Sequence, residues 1–297
     1  MPALPKTVLA ATDFSEPAET AARLARELAG SFAARFHMLH VIVLLEDPHL
    51  EESHRLQLEE LVATADEARR KVLAERPPDS AEVAVVPHLV RGIAPGETIV
   101  EVAGNVGADL IVMGTHGRRG LSHLLLGSVA ERVVRTARCG VLTVRAEAAV
   151  NPQGPRRILV PHDFSEPSVA AVRTAALWAR HFGSEITLLH VVEPVVYPEF
   201  YAIETISDDV MGRLKGRSRE ALENAAAELA GRDIPVTTRV EIGRAAETIA
   251  EVADPERYDL LVMATRGLSA LEHLFRGSVT EAVLRRSRVP MLTIPGA

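Results

Sequence analysis

A single cysteine, Cys139, stands in 297 residues. No intramolecular disulfide is available to such a chain, which suits a reducing compartment. Basic charge is not in excess either: 33 Lys and Arg against 40 Asp and Glu give a formal net charge of −7. That balance argues against nucleic acid or an anionic membrane surface as a general partner. The first residues, Met1-Pro-Ala-Leu-Pro-Lys6, lack a basic stretch followed by an apolar core, so no signal peptide is expected. No apolar run approaches the roughly 18–20 residues that span a bilayer. The expectation is a cytoplasmic protein with no membrane and no nucleic-acid partner. No G-x4-G-K-[S/T] loop occurs, so the lysine and hydroxyl that organise phosphates and Mg2+ in P-loop enzymes are missing. His123 and His273 stand at no metal-ligand spacing with another ligand type, and no metal is assigned.

The chain instead offers one signal twice. Gly114-Thr-His-Gly117 follows an apolar run, Ala108 to Met113, and is separated by nine residues from Gly127-Ser128, which opens the helical pattern Val129 to Arg135. Strand, glycine loop and helix start, in that order, build anion sites. Glycine lets the backbone approach a phosphate, and the unpaired N–H groups and dipole of a first helical turn hold negative charge. The signal recurs 150 positions later, with Gly267 answering Gly117 and Gly277-Ser278 answering Gly127-Ser128, and with Ala264 where the first copy has Gly114.

The rest of each half repeats as well. Thr7 to Thr12 and Arg157 to His162 read as buried strands ending at Asp13-Phe-Ser-Glu-Pro17 and Asp163-Phe-Ser-Glu-Pro167. Ser15 and Ser165 are suited to cap the helices that follow, Ala18 to Ala29 and Ser168 to Phe182, with Gly30 and Gly183 at their ends. Arg35 to Val43 and Glu185 to Val192 are apolar nearly throughout, as strands buried on both faces are. A charged helical stretch, Leu50 to Glu75, and an aromatic segment, Pro194 to Asp209, come next, the latter leading to a helix from Val210 to Ala230. Third strands (Val83 to Val90, Val236 to Ile242), helices (Glu97 to Val106, Ala246 to Ala253), fourth strands (Leu110 to Met113, Leu260 to Met263) and fifth strands (Gly140 to Arg145, Pro290 to Pro295) complete the halves. Ala146 to Pro155 has the composition of a linker.

Alternating strands and helices with right-handed crossovers predict two tandem α/β domains, residues 1–146 and 156–297 joined by 147–155. Each is a doubly wound, mostly parallel five-stranded sheet of order 3-2-1-4-5 with helices on both faces. In that order the connections leave strands 1 and 4 in opposite directions, and a ligand crevice opens at their carboxyl ends. Asp13 and Gly114 would face one another across it. Each feature also has a plain structural reading. Asp13 and Asp163 can serve the turn before a helix, the glycines can be turn and packing residues, and His40 and His190 can be satisfied core histidines.

Loop, aspartate, strand order and duplication together resemble the universal stress protein family, and two copies in one chain look like its tandem members. The resemblance covers nearly all of both halves. It implies an adenine nucleotide in the crevice: ATP, with ADP or AMP as alternatives and Mg2+ as an accompanying ion. On this chain it implies Ala11, Thr12 and Asp13 at the adenosine end and the Val41 backbone at the adenine edge. Met113, Gly114, His116 and Gly117 would line ribose and phosphates, with Gly127, Ser128 and Val129 at the phosphates. The matching second set is Asp163, Val191, Met263, Gly267, Gly277, Ser278 and Val279. Ala264 departs from the pattern, at a cost if the backbone there is left-handed or if a phosphate packs on it. The resemblance also implies pairing through fifth strands, within one chain or as a homodimer, and an unspecified protein partner. The expected function is nucleotide-binding regulation with at most slow hydrolysis. A nucleotide-independent scaffold and an adenylyl-transfer or ATP-pyrophosphatase enzyme are the alternatives, the latter lacking its Ser-Gly-rich loop after strand 1.

Overall fold

Thr7–Ala11 (β1) is buried at every residue, and Arg157–Pro161 (β6) at its three central ones. Strands with no solvated face need neighbours on both edges and layers above and below, which is what a parallel sheet covered by helices supplies. The computed structural model describes residues 3–43, 84–115, 127–148, 151, 153–193, 208–230, 233–254, 257–265 and 279–296. The predicted helix Leu50 to Glu75 and the glycine-loop segments 116–126 and 266–278 lie outside them, as does the segment from Pro194 through Ser207.

Two compact units form, residues 5–147 and residues 148–297, the latter grouped with residues 1–4. The first unit runs β1, α1 (Glu16–Ser31), β2 (Arg35–Val43), β3 (Val85–Gly92), α2 (Pro95–Val106), β4 (Leu110–Gly114), α3 (Ser128–Thr136) and β5 (Gly140–Val144). The second runs β6, α4 (Glu166–Phe182), β7 (Glu185–Val192), α5 (Asp208–Ala230), β8 (Val236–Ile242), α6 (Ala245–Val252), β9 (Leu260–Ala264), α7 (Val279–Arg286) and β10 (Met291–Ile294). The strand order is β3-β2-β1-β4-β5 in one unit and β8-β7-β6-β9-β10 in the other. Each unit is therefore the doubly wound α/β domain that the sequence predicts.

Helix α1 buries Ala21, Leu24, Ala25 and Leu28 at helical spacing and packs across β1, β2, β4 and β5. Helices α2 and α3 pack on one another, as α6 and α7 do in the second unit. Fully buried side chains such as Leu9, Phe36, Leu39, Ile111 and Leu142 fill the first core, each contributing roughly 1.5–3 kcal/mol of transfer free energy. An aspartate fastens the amino-terminal edge of each sheet. Asp109 Oδ2 accepts from the N–H groups of Lys6 and Thr7, and Asp259 Oδ2 from those of Arg156 and Arg157.

Helix ends correct one expectation. Gly183 caps α4 in the left-handed region, φ 69, but α1 runs past Gly30 to Ser31, and the left-handed turn falls on Ala33, φ 52. The end of the linker stretch is packed: Gly154, φ 86, lies so close to Phe182 that a Cβ there would sit 2.1 Å from the ring. Gly154→Ala is expected to destabilise the second unit by about 1–3 kcal/mol. Gly104→Ala, in α2 with nothing within 4 Å of its Cβ position, is expected to stabilise by up to about 1 kcal/mol. Urea midpoints of the two variants against the parent chain check both signs.

Candidate functional site

The carboxyl ends of three strands meet in each unit. In the first, Ala11 pairs with Leu39 of β2 and with Met113 of β4. β1 then stops while β2 continues to Val43, so Val41 lies two residues beyond the last rung. Thr12 N–H still reaches Leu39 O at 2.9 Å, but Thr12 O accepts from His40 Nδ1 at 2.8 Å. The second unit repeats this: His162 N–H reaches Leu189 O at 2.7 Å, and His162 O accepts from His190 Nδ1 at 2.7 Å. His40 and His190 are satisfied, as the sequence predicts, but by a carbonyl at the crevice.

The next three residues form a turn that both units share. Asp13 Oδ1 accepts from Ser15 N–H at 3.1 Å and from Ser15 Oγ at 2.6 Å; Asp163 and Ser165 do the same at 3.1 and 2.5 Å. The turn role of these aspartates is therefore filled, and any ligand role is additional to it. Ser165 also caps α4 by accepting from Ser168 N–H, whereas Ser15 makes no such bond to α1. Between aspartate and serine, Phe14 and Phe164 are held left-handed at φ 62 and φ 64, a conformation bulky side chains adopt at a cost of order 1–3 kcal/mol. What holds each is an acceptor two residues back and a histidine ring. Phe14 N–H donates to Thr12 Oγ1 at 3.0 Å and the ring lies 4.5 Å from that of His40. Phe164 N–H donates to His162 Nδ1 at 3.0 Å and its ring lies 4.6 Å from that of His190. The sequence gives no residue-type signal for a left-handed Phe; the only trace is Asp-Phe-Ser at the same place in both halves.

Across the crevice, Gly114 ends β4. A Cβ there would lie 2.9 Å from the backbone of Pro17 and Ala18 at the start of α1. Neither Gly114 nor Ala264 is among the described residues with positive φ, so the glycine serves a close approach of chains and not a left-handed turn. The loop that follows is closed at its root, because Gly127 N–H donates to Thr115 O at 2.8 Å. That bond sets the first turn of α3, with Ser128 and Val129, beside the end of β4. In the second unit Thr280 of α7 ties back to Ala264 O through its Oγ1 at 2.7 Å. Met113 and Met263 are buried, and Val279 opens α7. His116, Gly117, Gly267, Gly277 and Ser278 lie outside the described residues. The remaining predicted positions Ala11, Thr12, Asp13, Val41, Gly114, Gly127, Ser128 and Val129 are on the carboxyl side of the first sheet, with Asp163 and Val191 likewise placed in the second.

Other titratable groups lie elsewhere. Burial, with Asp109 next, pushes the Cys139 thiol up to about 11, so it stays protonated at neutral pH. His37 and His88 hydrogen-bond across β2 and β3 at 2.8 Å, and burial lowers the pKa of His37. A cleft of about 420 Å3 lined by Arg156, Arg157, Gly183, Glu185, Pro235 and Asp259 opens at the amino-terminal edge of the second sheet, opposite the crevice. Among the described residues no helix is long and apolar enough to cross a membrane.

Fold and site define a tandem pair of doubly wound α/β domains, each with a crevice at its strand 1/strand 4 switch point. Residues 5–145 and 154–295 each match the universal stress protein family, and the chain belongs to that family. It is 31% identical over 209 residues to universal stress protein Rv2005c of Mycobacterium tuberculosis, a match covering 67% of this chain and 65% of that one, just under two thirds of the relative's length. To universal stress protein MJ0531 of Methanocaldococcus jannaschii it is 38% identical over 142 residues, 47% of this chain and 82% of the other. The crystal structure of a universal stress protein from Archaeoglobus fulgidus aligns with 97% of this chain and 96% of its own, at TM-score 0.63 and 24% identity, a likeness of fold.

The two turns differ in one respect that pH reveals. The acceptor for Phe14 is a hydroxyl, but the acceptor for Phe164 is an imidazole nitrogen that protonation removes. Burial lowers the His162 pKa, Asp163 opposes that shift and His190 adds to it. With a folded pKa below the unfolded value of about 6.5, the neutral ring's contribution is full above that pH and is lost as pH falls through the folded pKa. His162→Thr, which installs the residue of the first unit, is expected to reduce the loss of second-unit stability between pH 7 and 5. Urea midpoints of the variant and parent chain across that range check it.

Proposed function

We propose that the chain is an adenine-nucleotide-binding regulatory protein, with ATP, or ADP or AMP in its place, held in the crevice of the first unit. The observation that supports this best is the convergence of Asp13, Val41 and Gly114 at one sheet edge with a loop pinned at Thr115 and Gly127. Glycine without a side chain, a closed loop root and a helical first turn suit a phosphate chain. Asp13, with Ala11 and Thr12, would hold the adenosine end and Val41 the base edge. Met113, Gly114, Gly127, Ser128 and Val129 would line ribose and phosphates with His116 and Gly117 of the loop. The bound nucleotide would add negative charge and a rigid shape to the crevice. A partner protein in the cytoplasm would distinguish the filled crevice from the empty one, as differential affinity for two states requires. Where Mg2+ accompanies the phosphates, Asp13 reaches it only indirectly.

Asp163, Val191, Met263, Gly267, Gly277, Ser278 and Val279 would form the second site. Ala264 weakens it only where a phosphate packs on that Cα, since the backbone there is not left-handed. One observation favours a scaffold reading instead: the contact of Gly114 with α1 explains that glycine without any ligand. Asp13→Asn separates the two readings because the amide oxygen can still accept from Ser15. We expect the variant to keep its thermal stability while ATP affinity falls about tenfold with loss of the charge. Isothermal titration and mass analysis of nucleotide released from denatured protein measure this. No co-purified nucleotide and no ATP binding at millimolar concentration would leave the scaffold.

A further inference from the structure

We propose that His40 and His190 are positioning residues of the two crevices. By occupying the carbonyls of residues 12 and 162, they stop β1 and β6 from pairing one rung further and keep the N–H groups of Val41 and Val191 turned toward the ligand side. The structural part stands without a ligand; the consequence for affinity rests on the nucleotide reading.

Successive residues of an inner parallel strand turn their backbone groups alternately to one neighbour and the other. Arg35 N–H reaches Lys6 O and Leu39 O accepts from Thr12 N–H, both at 2.9 Å. The odd-numbered residues of β2 therefore face β1, Val41 among them. In the second unit Glu185 N–H reaches Arg156 O at 2.9 Å and Leu189 O accepts from His162 N–H at 2.7 Å, while Val192 O accepts from Gly243 N–H beside β8. Val191 thus faces β6. The rung that would continue each ladder joins Val41 N–H to Thr12 O and Val191 N–H to His162 O. Those carbonyls are the ones the imidazoles take, at 2.8 and 2.7 Å, and pairing ends at Ala11↔Leu39 and Pro161↔Leu189. A carbonyl only accepts, so Nδ1 carries the proton in both rings.

Phe14 and Phe164 keep the rings in place, tilted 43° to them at 4.5 and 4.6 Å. The left-handed residue, the imidazole and the carbonyl form one device. It is built identically in two units that differ at the neighbouring position, Thr12 against His162. The donor it exposes suits an acceptor on a flat base seated past the end of the first strand.

Amide hydrogen exchange read by NMR on the full chain tests this, with ATP titration beside it. In His40→Leu the Val41 amide is expected to exchange about fivefold or more slowly as the rung forms, and ATP to bind more weakly by a similar factor. His40→Asn, which retains a donor for the carbonyl, is expected to keep Val41 exchange fast and ATP binding near that of the parent. His190→Leu repeats the exchange test at Val191 should His40→Leu fail to fold. Unchanged Val41 and Val191 exchange in the leucine variants, or strong protection of both in the parent chain, overturns the inference. Slowed exchange in a chain that binds no ATP upholds the positioning role and discards the nucleotide reading.

Discussion

A strand that ends inside a covered sheet leaves backbone groups that must find partners, and the crevice of each unit follows from how that need is met. β1 ends two residues before the level of Val41 and β6 two before that of Val191. The leftover carbonyls are taken by side chains of the adjacent strand. Were the ladder to continue, the chain could not leave at Asp13 or Asp163, and the turn that starts α1 or α4 would have no place. A few hydrogen bonds near 2.8 Å thus separate a closed sheet edge from an open one, and the buried apolar core supplies the rigidity that keeps them aligned.

The opposite wall depends on the absence of atoms. Gly114 brings β4 against the first turn of α1, and the bond from Gly127 to Thr115 returns the loop to its starting point. These contacts are structural in themselves and also what a phosphate site needs, so packing and binding readings of the glycines are compatible. Ala264 shows that the fold accepts a methyl at the equivalent place, where the second unit anchors its following helix by Thr280 instead.

Much of this was legible in the amino-acid order. The largely apolar runs Arg35–Val43 and Glu185–Val192 carry the observed bounds because an inner strand of a covered sheet has few polar residues to blur its ends. Apolar periodicity places the helix starts late, at Ala18 and Ser168, because Glu16-Pro17 and Glu166-Pro167 are first-turn residues that answer to dipole and φ and not to a buried face. Gly30 reads as a stop because glycine commonly ends helices; here the left-handed turn after the helix falls on Ala33. The left-handed Phe14 and Phe164 had no legible cause, since their conformation is imposed by an acceptor two residues back and a ring from another strand. That His162 Nδ1 serves as an acceptor, and so loses its bond on protonation, likewise depends on a hydrogen-bond direction that only the folded chain defines.

The contact at Gly114 also limits the direction of any response to a ligand. With no space between the end of β4 and the start of α1, that helix cannot slide inward when the crevice fills. It can only be pushed away, against the core it covers. Movement then falls to the other wall, where the Gly127 N–H bond to Thr115 O joins the end of β4 to the first turn of α3. Helix α3 rests on α2, and Arg132 of α3 pairs with Glu97 of α2 at 2.9 Å. Displacement would therefore travel through that helix pair to the flank of the domain, leaving α1 as the fixed frame against which it is measured.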